Sequence, residues 1–186
     1  IEVGAGDGTL LRALGPELAD LPVGVTAVER SPGARAALAT IDGVAVRSTM
    51  PSAGAPTMLL AHELLDNLPF RRVRATEDGP REVYVGTGPD GLVEVLRPTD
   101  LEATDDETVV PTGAASFVVE ALGGTAPRAL LAIDYGSDLG AAGPAHGYAS
   151  HRVVEDLLAA PGATDITAGV DFGALAIAAR ANGLTA

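Results

Sequence analysis

The segment Glu2-Val3-Gly4-Ala5-Gly6-Asp7-Gly8-Thr9 constrains this chain more than any other part of it. It stands between an apolar strand end, Ile1 to Val3, and a stretch carrying Leu10, Leu11, Leu14 and Leu18 at three- and four-residue spacing, the periodicity of an amphipathic helix. Glycines open a strand-to-helix turn to backbone angles closed to other residues and let a ligand approach the main chain closely. A dinucleotide fingerprint places its third Gly three residues after the second. Here Thr9 holds that position, and the third Gly comes one residue early, at Gly8.

Beyond this helix the alternation continues. Val23 to Val28 reads as a second strand, and Ser31-Pro32 as a helix start, an N-cap with Pro at the first helical position, continuing to Ala39. Val44 to Val46 is a short strand, and Thr57 to Ala61 is a continuous apolar run, expected of a strand covered on both faces. Strand, helix, strand, helix, strand is the order of a parallel doubly wound sheet. The pattern then changes. Phe70 to Ala75, Glu82 to Val85 and Leu92 to Leu96 are strand-like, separated by the turn signals Asp78-Gly79-Pro80 and Pro89-Asp90-Gly91. They predict an antiparallel meander over about residues 70–96, inserted into the α/β frame. Residues 98–112 read as an acidic loop, Ala114 to Leu122 as a helix, Arg128 to Tyr135 as another buried strand, 136–150 as loop, and Phe172 to Ala181 as a last helix closed by Asn182-Gly183. No linker divides residues 1–186, so a single domain is expected, incomplete at both ends: its first strand is short for a strand of roughly five or six residues, and a further strand would follow the last helix.

Acidic residues recur where such a sheet presents the carboxyl ends of its strands to a ligand. Glu2 lies two residues before the first Gly; a carboxylate there repels a pyrophosphate but suits the ammonium of an amino-acid moiety, as in S-adenosylmethionine (SAM). Glu29, at the end of the second strand and about 20 residues past the loop, has the spacing of an acid that accepts both ribose hydroxyls, or alternatively caps a neighbouring helix. His62-Glu63-Leu64-Leu65-Asp66-Asn67-Leu68-Pro69 follows the Thr57–Ala61 run directly. Glu63 and Asp66, three apart, share one side of a helical turn and could hold a guanidinium; the alternative is a capping Glu63 and an Asx turn at Asp66 before Pro69. Asp134-Tyr135-Gly136 ends a later strand, and either faces the same crevice or bonds to local backbone. Asp165 before Ile166-Thr167 suggests a turn, Asp171 a helix N-cap. Arg72 and Arg74 share a strand face that reads as solvated. His62, His146 and His151 are too scattered to argue a metal site.

Composition removes competing chemistries. All 12 basic residues are Arg, against 25 acidic residues, a net charge of -13. Without Lys there is no Walker-type phosphate loop and no Schiff-base lysine; without Cys, no thiolate nucleophile or Cys-based metal site. The acidity argues against a nucleic-acid partner, no apolar run reaches the roughly 18 residues that span a bilayer, and no G-x-S-x-G elbow supports a hydrolase. Aromatic residues are 3%, so the core must be built from Ala, Val and Leu.

The run E-V-G-A-G-D-G-T-L, V-E-R-S-P, L-L-A-H-E-L-L-D-N-L-P, I-D-Y-G and P-G-A-T-D-I-T-A-G-V-D-F resembles the MidA-like SAM-dependent methyltransferases, over nearly the whole chain. The Gly loop is common to many methyltransferases; the E-L-L-D-x-L-P and D-I-T-A-x-V-D-F segments are more particular to this family. The resemblance implies a Rossmann-like methyltransferase fold, SAM as cofactor, and an arginine-bearing protein as acceptor. It assigns Glu2, Gly4, Gly6, Gly8 and Glu29 to the cofactor, Glu63 and Asp66 to catalysis, and no metal. His62 stands where family members usually carry Asn, and Gly169 where they usually carry His, both bearing on acceptor positioning. A cytoplasmic location is expected, with eukaryotic relatives mitochondrial, and the oligomeric state stays open, a homodimer included. Two other classes remain: a SAM-fold assembly factor with little turnover, and a nicotinamide-linked oxidoreductase, against which the glycine spacing and Glu2 both count.

Overall fold

The computed structural model describes the chain except for residues 53, 124, 125, 139–142 and 151. The chain divides into two compact units, one of Ile1–Leu65 with Phe117–Asp134, the other of Asp66–Ser116 with Tyr135–Ala186.

The first unit is built on a parallel sheet. Its central strand β1 (Glu2–Val3) pairs on one side with β2 (Val25–Val28), Glu2 opposite Ala27, and on the other with β4 (Thr57–His62), Glu2 opposite Leu60. With β3 (Val44–Arg47) beyond β2 and β9 (Arg128–Ile133) beyond β4, the order is β3-β2-β1-β4-β9, and every pairing is parallel, as the strand–helix alternation predicts. Helix α1 (Thr9–Leu18) follows β1, and α2 (Pro32–Leu38) follows β2, its N-cap Ser31 accepting the Ala34 N–H at 3.4 Å. Leu11 of α1 and Leu38 of α2 meet Ala5 and Ala27, with Val25, Ile41, Val44 and Val46 packed around them, an aliphatic core of the expected kind. Burial of such side chains contributes about 25 cal/mol per Å² of apolar surface. The Thr57–Ala61 strand departs from expectation in one respect. Leu59 and Ala61 are fully buried, whereas Met58 is 60% exposed, with Leu131 and Ile133 of β9 also exposed on the same face by register. That face is covered near β2, where Leu11 and Leu38 pack, and open over β4 and β9.

The second unit contains the meander, and it is larger than the sequence indicates. Strands β5 (Arg71–Arg74), β6 (Arg81–Gly88), β7 (Gly91–Pro98) and β8 (Glu107–Val110) form one antiparallel sheet in the order β7-β6-β5-β8. The expected loop at 98–112 therefore contains a strand. Its polar composition is misleading: Thr108 and Val109 are buried, and Glu107 is drawn into the sheet by arginines of the partner strand. Arg72 donates to both oxygens of Glu107 at 2.8 Å and to Glu94 at 2.6 Å; Arg74 donates to Glu94 at 2.8 Å and Glu107 at 2.9 Å. The face expected to be solvated is instead a two-Arg, two-Glu network, and Arg71 adds a bidentate pair with Glu82 on the other face. Helix α3 (Thr112–Leu122) follows. Loop 136–150 and the Asp165 turn are also partly strand: β10 (Gly136–Ser137) pairs with β14 (Val170–Asp171), and β11 (His146–Ala149) lies between β12 (Arg152–Val154) and β13 (Asp165–Thr167). These strands are two to four residues long, too short for a period-2 pattern to stand out. Helix α4 (Phe172–Ala181) begins as predicted, with Asp171 accepting the Ala174 N–H at 2.8 Å.

Burial alone would raise the Glu107 carboxyl, but hydrogen bonds from Arg72 and Arg74 outweigh it and hold the group below its usual value near 4.5. A depressed carboxylate contributes stability that is present above the unfolded value and lost as pH falls through the folded one. Glu107→Gln should therefore lower the thermal midpoint at pH 7 by roughly 2–4 °C, with the gap to wild type closing below pH 4.5. Scanning calorimetry at pH 7 and pH 3 checks this; an undiminished gap at pH 3 contradicts it.

Candidate active site

The loop after β1 is held from its own backbone. Gly4 and Ala5 both donate to the Val28 carbonyl, at 2.9 and 3.3 Å, so the end of β2 anchors the turn. Gly4, Gly6 and Gly8 all take positive φ, 72°, 55° and 88°. They differ in what surrounds them. A Cβ at Gly8 would come within 2.5 Å of Ile41 Cδ1 and 2.9 Å of Leu38 Cδ2, and one at Gly4 within 2.8 Å of Leu64 Cδ1, whereas a Cβ at Gly6 meets nothing within 4 Å. Gly4 and Gly8 are thus required by packing, and Gly6 opens outward. Asp7 accepts the Thr9 N–H at 3.0 Å and its hydroxyl at 2.7 Å, which lowers the Asp7 carboxyl and gives α1 the side-chain acceptor that its N-cap Gly8 lacks.

Two acids flank this loop. Glu29 lies directly after β2, and its Oε2 accepts the Gly6 N–H at 3.0 Å while Oε1 accepts the Ser31 N–H at 2.7 Å. The ligand-side and capping alternatives are therefore not exclusive: Glu29 ties the outward glycine to the start of α2, and each of its oxygens retains acceptor capacity. Glu2 is only 5% exposed, and its Oε2 is buried without a hydrogen-bond partner. Burial pushes its carboxyl above the usual value, partly offset by His62. An uncompensated carboxylate oxygen in this position is costly to the free protein, and its chemistry is that of an acceptor awaiting a donor.

At the end of β4, Glu63 donates its N–H to the Ile133 carbonyl at 2.9 Å and then takes φ 48°, the left-handed region disfavoured for a side chain with a Cβ. The one-turn helix expected over Glu63 and Asp66 is not formed. The chain bends at Glu63, and a 3-10 turn starts only at Leu65 (Leu65–Asn67), so the shared side inferred from three-residue spacing does not hold. The Glu63 side chain is 73% exposed, 3.9 Å from His62 Nε2. Asp134 bonds to backbone that is not local: its Oδ2 accepts the N–H of Leu65, 69 residues away, at 2.8 Å, at the start of that turn.

Asp66 belongs to the second unit and is 8% exposed. Its Oδ1 accepts from the Asn67 amide at 2.7 Å and its Oδ2 from the Thr167 hydroxyl at 2.8 Å; Tyr135 reaches the same Thr167 oxygen at 2.5 Å. Residues 66 and 167 are 101 positions apart in the sequence. His151 lies outside the described residues. Among the described residues, no group of three or more His, Asp or Glu is arranged to hold a metal, and no helix is long and apolar enough to cross a membrane. A groove of about 1220 Å³ in the second unit, lined in part by Arg72, Arg74, Glu94 and Leu157, includes none of the predicted site residues.

A parallel sheet with a glycine loop after its first strand and an acid after its second is the frame of a Rossmann-like, nucleotide-binding α/β protein. Residues 1–186 match a family model described as "Putative S-adenosyl-L-methionine-dependent methyltransferase", and the chain belongs to that family. Among curated proteins it is 35% identical over 130 residues to the mitochondrial protein arginine methyltransferase NDUFAF7 of Danio rerio, covering 62% of this chain and 31% of that protein. Against the Homo sapiens protein of the same name it is 37% identical over 128 residues, 61% of this chain and 28% of that one. Of solved structures, a methyl transferase candidate from Burkholderia thailandensis bound to S-adenosyl-homocysteine superposes with a TM-score of 0.80 at 26% identity, over 98% of this chain and 55% of that one. A native structure of an uncharacterised protein from the same organism gives 0.82 at 26% identity, over 98% and 57%. The chain thus spans less than a third of the length of these curated relatives and little more than half of these solved ones.

The different surroundings of the glycines make an ordered expectation. Gly8→Ala should lower the thermal midpoint by more than Gly6→Ala, since only the former adds a clash to the roughly 1 kcal/mol cost of a left-handed non-glycine residue; equal losses would contradict the geometry. Glu2 has a raised folded pKa, so its contribution is favourable at low pH and lost as pH rises through the folded value. In the free protein, Glu2→Gln should therefore raise the thermal midpoint at pH 7, with the two proteins converging below pH 4.5. A lower midpoint for the variant at pH 7 would contradict the buried, unpaired carboxylate.

Proposed function

We propose that the chain is the SAM-binding and methyl-transferring part of an enzyme that methylates a protein arginine, with residues 1–186 acting as one methyltransferase domain. The observation that carries the proposal is the buried Glu2 carboxylate, its Oε2 unpartnered, in the strand that runs into a glycine loop whose middle glycine opens outward. The residues present fit SAM. Glu2 accepts the ammonium of an amino-acid moiety, Glu29 turns its remaining acceptor capacity to ribose hydroxyls, and Gly4, Gly6 and Gly8 keep the loop backbone bare. Bound SAM supplies a sulfonium-activated methyl group. Glu63 of the first unit and Asp66 of the second are each a candidate to accept N–H bonds from the acceptor guanidinium; orientation and electrostatics then carry the rate. At a net charge of -13 the acceptor is a cationic protein segment rather than nucleic acid, and the chain works in the cytoplasm, as a monomer or a homodimer.

One observation favours a second reading, a partner-binding assembly factor with little turnover. One face of the β6–β7 hairpin exposes Val85, Leu92 and Leu96 at 59%, 41% and 41%, an apolar surface suited to docking.

Two measurements on the full-length protein separate these readings. By calorimetry, SAM should bind and NAD should not, and Glu2→Gln should weaken SAM roughly 10- to 100-fold through loss of a charged hydrogen bond; equal binding of the two ligands contradicts the proposal. Radiolabelled methyl transfer to arginine in lysate proteins should fall at least roughly 100-fold in Glu63→Ala. SAM binding without any transfer supports the assembly-factor reading.

A further inference from the structure

We propose that Thr167 and Tyr135 are positioning residues that act through Asp66, so that three segments far apart in the sequence set one carboxylate for the acceptor. This inference rests on the methyl-transfer reading above. Asp66 follows the 62–65 stretch, Tyr135 follows β9, and Thr167 ends β13; all three lie in the second unit. Thr167 is 5% exposed and Asp66 8%, so the bonds between them form away from bulk water.

The proton count gives the chain of bonds a direction. A threonine hydroxyl has one proton and two acceptor lone pairs, and an ionised carboxylate only accepts. The Thr167 proton goes to Asp66 Oδ2, 2.8 Å away, so the 2.5 Å bond between Tyr135 and Thr167 must be donated by the tyrosine. Tyr135 thus polarises Thr167, and Thr167 strengthens its donation to the carboxylate. With the Asn67 amide on Oδ1 at 2.7 Å, both oxygens are held and the carboxylate plane cannot rotate freely. A carboxylate that aligns a planar guanidinium needs that fixed plane, because paired N–H bonds are directional. The strand backbone supports the arrangement: β13 pairs with β11 with Thr167 opposite His146, which sets the threonine from a hydrogen-bonded ladder rather than a loop.

The alternative is a buried polar cluster that only stabilises the fold, and a double-mutant cycle distinguishes the two. In the full-length protein, Thr167→Val removes the donor at nearly constant shape, Thr167→Ser keeps it, and Asp66→Asn removes the charge. The proposal predicts that Thr167→Val lowers kcat/KM for an arginine peptide roughly 10- to 100-fold with SAM affinity unchanged, that Thr167→Ser restores most of it, and that Tyr135→Phe gives a smaller loss of the same kind. It further predicts that Asp66→Asn with Thr167→Val is no worse in kcat/KM than Asp66→Asn alone. Additive losses in kcat/KM, or a Thr167→Val loss that tracks only reduced folded fraction in parallel unfolding curves, overturn the positioning role. A wild-type protein that methylates no arginine peptide overturns the acceptor assignment and the positioning role with it; SAM binding kept by that protein confines the failure to the acceptor, and SAM binding lost extends it to the methyl-transfer reading.

Discussion

The register of β1 between its two parallel neighbours is the constraint on which the ligand edge depends. Glu2 lies opposite Ala27 on one side and Leu60 on the other, and this pairing decides which residues reach the carboxyl ends of the strands. Because the side-chain period of a strand is two, a slip of one residue would turn Glu2 to the other face of the sheet and remove it from its buried position. The same register brings Gly4 and Ala5 onto the Val28 carbonyl and places Glu29 within reach of the Gly6 N–H. At Gly6 no side chain packs against the loop. Here it is anchored by backbone bonds and one carboxylate instead.

The two units divide the candidate site residues between them. The first carries Glu2, the glycines, Glu29 and Glu63, and the second carries Asp66 with Thr167 and Tyr135. Their means of support differ as well. The parallel sheet is held by aliphatic packing around Leu11 and Leu38, whereas the antiparallel sheet relies on arginine–glutamate pairs across its strands. A chain with no Lys and few aromatics meets both demands through what it has, small aliphatics for the core and Arg for the bidentate pairing that Lys does not make.

Much of this was legible in the sequence, for physical reasons that also account for the rest. The parallel sheet could be read because its strands are apolar and its helices show a 3.6-residue period and carry caps: Ser31-Pro32 and Asp171 start helices as their chemistry requires. The glycine loop could be read because its turn needs positive φ at Gly4, Gly6 and Gly8, and Glu29 because it follows the second strand, where it accepts the Gly6 N–H. Strand β8 could not, since its Glu107 looks like a loop residue until Arg72 and Arg74 are known to lie across from it. The shared side expected of Glu63 and Asp66 is absent because three-residue spacing implies one face only in a helix, and the chain turns left-handed at Glu63. The Asp66–Thr167 contact had no local signal at all; the only pointer was that both residues sit in segments particular to the family.

The proposed role of this edge turns on whether the Glu2 carboxylate meets the cofactor. The most direct measurement is a crystal structure of the full-length protein with S-adenosyl-homocysteine. The ligand's amino group is expected within about 3 Å of Glu2 Oε2, its ribose against Glu29, and Gly6 facing it without a side chain between. A ligand whose amino group is bonded elsewhere, with Glu2 still buried and unpaired, would contradict the cofactor assignment.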